Sequence, residues 1–338
     1  MSTYLEIPIP PSSDHLWRYT PWKRVHPSAV NTIPDSQPLA ISGCDLQDSQ
    51  LPDSDEIARS FIHSMAKCQE LILKDDDLII DVKASGHVAV GELKIIAKGH
   101  NTLVINLMGE ASWAGLRIMG EVSSGSSLSI SLINELSNDS RLLRVEDWVV
   151  GRDANLEFAT LSAGGEYCKC DIRVELSEKG SECHGSVAIH GTSKRHDDHH
   201  FEITHSSGYT NSGLVIHAAC DDNSRSISTG LLKIKTDCDG SNAGQIFRNL
   251  LLSEKSRAES IPELEVLSDD VKAAHGAASA PVSAEQLHYL MSRGLSKSSA
   301  EALIVEGFLM DAFKDIRNQK IVAAMRTALL LHLDCLVS

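Results

Sequence analysis

Aromatic residues fill only 4% of the 338 positions, with four Trp, five Tyr and six Phe. A core of stacked rings is therefore excluded, and the interior has to come from Val, Ile, Leu and Ala. Cations are scarce as well: 31 Lys and Arg stand against 46 Asp and Glu, a formal net charge of −15. That balance excludes the concentrated positive field needed to bind nucleic acid or an anionic membrane surface. No apolar run reaches the length of a membrane span, and the start MSTYLEIPIPPSSDHLW has neither the basic opening nor the apolar core of an export signal, so a cytoplasmic protein is expected. The eight cysteines (Cys44, Cys68, Cys168, Cys170, Cys183, Cys220, Cys238 and Cys335) lack framework spacing, which favours reduced thiols over a disulfide scaffold. Also missing are a GxxxxGK[ST] phosphate loop, a GxGxxG after a strand, an HExxH and a GxSxG. The chain reads as a non-enzyme, and any ATP hydrolysis would come from a partner.

What is present is a long series of short aliphatic runs. From about Leu71 to Leu267, segments such as Leu78–Val82, Leu103–Leu107, Leu128–Leu132, Val145–Val150, Leu156–Leu161, Ile172–Leu176, Val187–Ile189, Phe201–Thr204, Leu214–His217 and Leu231–Ile234 alternate with polar residues and are punctuated by Gly, Asn, Asp or Ser. Strands at roughly ten- to fifteen-residue intervals indicate a sandwich, a barrel or a β-solenoid. Helical spacing is absent there, which excludes βαβ architecture. Residues 1–50 hold seven of the ten prolines and read as an extended arm with one anchored patch, Leu16–Trp22; only Ser54–Lys67 reads as a helix. The stretch from Pro262 to Gly294 changes character. Glu263–Leu267 alternates like a strand, a turn of small residues carries His275, and Ser283 with Gln286 forms a capping-box pattern opening a helix that Gly294 ends. Helices are expected at Ala284–Ser292, Ser298–Phe313 and Asn318–Leu333. The expected division is an arm with a short helix at 1–70, a β core at 71–280 and a helical domain at 281–338.

Four groups could carry chemistry. His275, flanked by Ala and Gly, is either a polar surface group or an iron ligand open to close approach. His199, His200 and His205 invite a metal reading, but alternation puts His199 and His205 on one face and His200 on the other, so a structural role is preferred. Asp269, Asp270 and Lys272 beside His275 suit a capped turn as well as acid–base work or Mg²⁺. Cys168 and Cys170 share a face and could reach a common ion, although packing as small hydrophobes is the simpler reading.

The run Pro262, Glu263, Leu264, Glu265, Asp269, Asp270, Val271, Lys272, His275, Gly276, Ala277, followed by Tyr289, Leu290, Ser292, Arg293 and Gly294, resembles the C-terminal signature of the SufB/SufD family of iron–sulfur cluster assembly proteins. Arg248–Ser253 is similar to the family's N-L-L-L segment, Asp197–His200 with His205 to its D-H-H…H strand, and Trp17–Pro21 to the W-R-Y-T-P of the SufD branch. The resemblance runs from about Asp81 to Phe308. The positions of the SufB branch's functional Cys and Glu fall at Phe247 and Gly276, so the chain looks SufD-like, with His275 as the counterpart feature. The resemblance implies a right-handed parallel β-helix with a C-terminal helical domain capping it. It also implies strand pairing with a SufB-like subunit, or a second copy of this chain, through Asp197–Ile246. A SufC-type ABC ATPase is expected on the helical domain around Leu287, Tyr289, Leu290, Arg293 and Phe308. No stably bound cofactor is expected, only an iron–sulfur cluster in transit at the subunit interface near His275. The alternatives are a purely structural solenoid protein, a SufB-like homodimeric scaffold, and a solenoid enzyme acting on acidic polysaccharide, for which the −15 balance has the wrong sign.

Overall fold

A strand with one aliphatic face must bury that face against something, and here each strand buries it against the strand that follows it in the chain. The computed structural model describes residues 4–337; the first three residues of the expected arm and the last of the helical domain lie outside the described residues. Three short strands come first, β1 (Gln37–Pro38), β2 (Ala40–Ser42) and β3 (Gln47–Ser49). Then β4 (Cys68–Lys74), β6 (Val88–Lys98), β8 (Trp113–Val122), β10 (Arg141–Val150), β12 (Tyr167–Leu176), β14 (His196–His205), β16 (Arg225–Ile234) and β18 (Arg257–Val266) stack in parallel as one sheet. Between them β5 (Asp77–Ala84), β7 (His100–Gly109), β9 (Ser127–Leu136), β11 (Asn155–Ser162), β13 (Glu182–Gly191), β15 (Asn211–Cys220), β17 (Asn242–Leu251) and β19 (Lys272–Pro281) stack as a second. Consecutive strands alternate between the sheets, which makes a β-solenoid of about eight turns, mainly β with 49% of residues in strands.

The coils stack in register: Trp113, Arg141, Tyr167, His196, Arg225 and Arg257 occupy the same rung of successive coils. Inward positions then form columns, and the apolar ones make a single core from Leu39 to Phe247. A fully buried Leu or Ile contributes about 1.5–3 kcal/mol. Where a bulky side chain points inward, its neighbour gives way: the Trp148 ring lies where a Cβ on Gly120 would stand. The strands that lacked a clear aliphatic run, β17 and β19, are held by main-chain pairing to the coil below. His275, expected in a turn, lies on β19, because that pairing extends a segment of Ala and Gly that has no strand signature of its own.

Both outer faces are covered. On the first sheet the arm, with its single-turn helix α1 (Trp22–Val25), and α2 (Ile57–His63) pack Tyr4, Trp17, Trp22, Val25, Phe61 and Ile62 on Val88, Val90, Trp113, Leu143 and Val145. The proline-rich arm is thus anchored well beyond Leu16–Trp22. It follows the sheet lengthwise: the Leu16 carbonyl accepts from Lys169 Nζ at 2.9 Å, Thr20 Oγ1 lies 3.0 Å from His196 Nε2, and His15 Nδ1 lies 3.4 Å from Glu263. Arg59 on α2 spans Asp147 and Asp171. Burial opposes ionisation of Asp171, yet Arg59 and Arg173 hold its carboxyl well below the usual range.

The second sheet carries the C-terminal helices, α3 (Ala284–Ser292), α4 (Lys297–Met310) and α5 (Gln319–Val337). They were expected to cap the solenoid. Instead α4 and α5 lie back along its flank, because the outward residues Val104, Ile133, Ala159, Leu161, Ala188, Ala219 and Leu250 form an apolar stripe that receives Val305, Leu309, Ile321, Met325 and Leu329. At α3 one half of the expected capping box is present, with Ser283 Oγ accepting from the Gln286 N–H at 3.2 Å, and Gly294 takes φ +96°. The first coil is closed by β2 and β3, which pair antiparallel with β5 and β4. At the other end β18 and β19 pair on one side only. No described helix is long and apolar enough to cross a membrane.

Candidate functional site

The open last coil collects most of the residues singled out above. His275 is exposed and stands in register over Gln245, on the same face as Ala273, which packs on the core. It is therefore the top rung of an interior column and not an outward surface group. The other end residues on β19 are small, Ala273, Ala277 and Ser279, while Ser260 and the larger Leu264 face them from β18. Phe247 is buried directly below Ala277, and Gly276 faces outward into open space. Beneath His275, the buried Gln245 donates through Nε2 to the Gly230 and Glu263 carbonyls at 3.2 and 2.9 Å. Asn249 donates to Ser260 and Ser279 at 3.0 and 2.8 Å. These amides lock the last two coils together, so His275 is presented on a braced strand. Asp269 and Asp270 sit in the turn between β18 and β19, where the Asp270 carbonyl accepts from Gly240 N–H at 2.7 Å, and Lys272 opens β19.

Beside this end, α3 and α4 leave a groove of about 670 Å³ lined by Leu250, Tyr289, Leu290, Leu303, Ile304 and Phe308. Tyr289 is 56% exposed, and the Arg293 guanidinium stands 5.2 Å from its ring. Phe308 stacks on His217, whose Nδ1 lies 2.7 Å from the Phe308 carbonyl. Leu287 is half-buried on α3. Strands within Asp197–Ile246, expected to pair across a subunit, are filled on both edges; the free edges at this end are those of β18 and β19.

The histidine segment is elsewhere, inside the stack. His199 and His205 point into the solenoid and His200 points out under the arm, 2.7 Å from Thr229 Oγ1. His205 has both ring nitrogens engaged, by Thr210 at 2.6 Å and Ser212 at 2.8 Å, and burial lowers it to about 4. His199 meets Cys168 and Cys170, one ligand atom of each lying within 4.8 Å of the others. Arg144, Cys170 and His199 share a rung on successive coils. The two sulfurs are 3.6 Å apart, and the hydrogen bond from Cys170 draws the Cys168 thiol down while raising Cys170. Burial opposes charge on His199, but Asp197 and Cys168 hold it up at about 9. The Cys-x-Cys spacing was visible in the sequence; that His199 joins it is a product of coil register.

The chain matches the family model described as "SUF system FeS cluster assembly, SufBD core domain" over residues 84–308. The chain belongs to the SufBD family. It is 23% identical to an iron–sulfur cluster assembly SufBD family protein of Mycobacterium leprae, an alignment covering 94% of this chain and 90% of that protein. It is 29% identical to the iron–sulfur cluster assembly protein SufD of Bacillus subtilis, covering 60% of this chain and 47% of that one, and 23% identical to SufD of Escherichia coli, covering 51% and 41%. SufBD membership and the solenoid agree with the resemblance read from the Pro262–Gly294 signature.

Proposed function

We propose that this chain is a SufD-like scaffold subunit of an iron–sulfur cluster assembly complex. In this reading the open last coil receives the terminal coil of a SufB-like subunit, and a SufC-type ATPase docks on the groove of α3 and α4. The observation that carries it is the finish of the solenoid: two strands with free edges, β19 presenting the small Ala273, Ala277 and Ser279 around His275 at the top of the interior column. Unpaired edges recruit strands, and small residues let a second backbone approach without a steric barrier. The cluster is cargo. An imidazole at the junction supplies a nitrogen ligand to iron in transit, and a thiolate from the opposite subunit would complete the pair. The apolar groove, with Tyr289 and Arg293 at its lip, has the aromatic and Arg content of interface centres. Nucleotide-driven movement of the ATPase would reach the open coil through α3, which follows β19 directly.

Tagged chain purified from its host, with co-purifying subunits identified by mass spectrometry and iron and labile sulfide assayed anaerobically, tests this. An ATPase and a SufB-like chain are expected, with iron and sulfide reduced in His275→Ala. A lone chain, or His275→Ala indistinguishable from wild type, would move the protein to a structural role; recovery of a second copy in place of a SufB-like chain would make it a homodimeric scaffold.

A further inference from the structure

Three coils in from the open end, the solenoid interior holds a group that the open coil does not explain. Cys168, Cys170 and His199 are wholly buried, and the guanidinium groups of Arg144 and Arg195 beside them are each already paired. Arg144 pairs with Glu146 at 2.6 Å and bonds Thr160, while Glu146 also accepts from Trp148. Arg195 holds Asp197 through two bonds of 2.6 and 2.8 Å. Neither ring nitrogen of His199 has a hydrogen-bond partner; the nearest carboxylate oxygen, Asp197 Oδ1, is 3.5 Å from Nε2. A buried imidazole with both nitrogens orphaned is costly and rare, and His205, on the same face of the same strand, shows the alternative with both nitrogens satisfied.

We propose that Cys168, Cys170 and His199 form a buried site for a thiophilic divalent transition metal, of the zinc(II) or iron(II) class. Two thiolates at about 2.3 Å from a tetrahedral ion stand about 3.8 Å apart, and the sulfurs here are 3.6 Å apart. Two thiolates, a neutral imidazole and a divalent ion sum to zero charge, which is the condition for stability between two ion pairs already balanced. The His199 nitrogen not facing the metal would turn to Asp197, the carboxylate–histidine relation common around bound metals. A disulfide is the poorer alternative, since strand residues two apart have Cα atoms about 6.6–6.8 Å apart, at the far limit for that bond. Three protein ligands leave a fourth position for water. With no exposed ligand, the ion enters as the coils close and is retained afterwards. This inference does not depend on the role of the open coil, which lies on other strands.

The test is refolding of the full chain from denaturant, anaerobically and with reductant, in the presence of cobalt(II), zinc(II) or iron(II), or of no metal, followed by chelator treatment and gel filtration. Wild type is expected to retain one ion per chain, with cobalt giving thiolate-to-metal charge transfer and the visible bands of a tetrahedral centre. Cys170→Ser and His199→Gln should lose at least tenfold in retained metal, while His205→Gln and Cys183→Ser, which change other buried groups, keep it. Should the ligand variants fail to fold, pulsed alkylation of wild type after brief unfolding gives the same answer: metal should slow labelling of Cys168 and Cys170 relative to Cys183 and Cys220. Refolded wild type holding no metal, ligand variants holding as much as wild type, or equal alkylation of all four thiols would overturn the proposal.

Discussion

At the first coil β4 and β5 are each covered by an antiparallel segment, β3 and β2, and the arm's aromatic cluster lies over the adjoining strands. At the last coil β18 and β19 have no further strand, and the inward residues of β19 are Ala, Ser and one His. A solenoid has to finish both ends, because an unpaired rung is an invitation to any strand. Folding back a few residues is enough for closure, as β2 and β3 demonstrate in three residues each. The chain had helices available after β19 and laid them on the flank instead. Open termination is therefore a feature of the design, and it is the physical basis for reading the last coil as an interface.

The contrast can be broken at either end. The largest effect is expected at the closed end, where Phe61→Ala empties a site ringed by Tyr4, Trp22, His26 and Trp113 and should cost about 3–5 kcal/mol in urea unfolding with little change in slope. An intermediate effect comes from pH. His205 is held neutral by burial, from 6.5 down to about 4; the unfolded chain binds its proton first, so stability falls as pH drops from about 6.5 toward 4. Roughly 2 kcal/mol should disappear between pH 7 and pH 5 from this residue, and His205→Gln should flatten that part of the profile. Asp171 acts at lower pH: its depressed value adds stability above the ordinary carboxylate range that is lost only in stronger acid. The smallest effect on stability belongs to the open end. Ala277→Arg should change the unfolding free energy by no more than about 0.5 kcal/mol while abolishing recovery of a partner subunit. Amide exchange would sharpen the comparison, with β19 expected to exchange faster than β8 in the isolated chain and to slow on complex formation; equal protection of both strands in the isolated chain would refute the asymmetry.

The repeating strands were legible because aliphatic alternation survives in most coils, as in Leu128–Leu132 and Leu156–Leu161. It fails at β19, KAAHGAASAP, where main-chain pairing to β17 supplies what side chains do not, and His275 was consequently placed in a turn. The flank position of α4 and α5 was hidden for a different reason: the receiving stripe is assembled from single outward residues of strands far apart in sequence, Val104 through Leu250. Likewise Cys168 and Cys170 could be put on one face by counting, but His199 reaches them only through coil register, which depends on turn lengths that vary from coil to coil. The signature around Pro262–Gly294 was readable throughout because its residues are contiguous.

The route of the arm bears on synthesis. Trp17 and Trp22 leave the ribosome early, yet the strands that cover them are made much later, and His15 meets Glu263 only when the last coil exists. The indoles find their cover once α2, β6, β8 and β10 exist, but the contact of His15 with β18 is fastened last. A ribosome stalled before β18 would therefore release a solenoid with the far end of its lengthwise strap still undone.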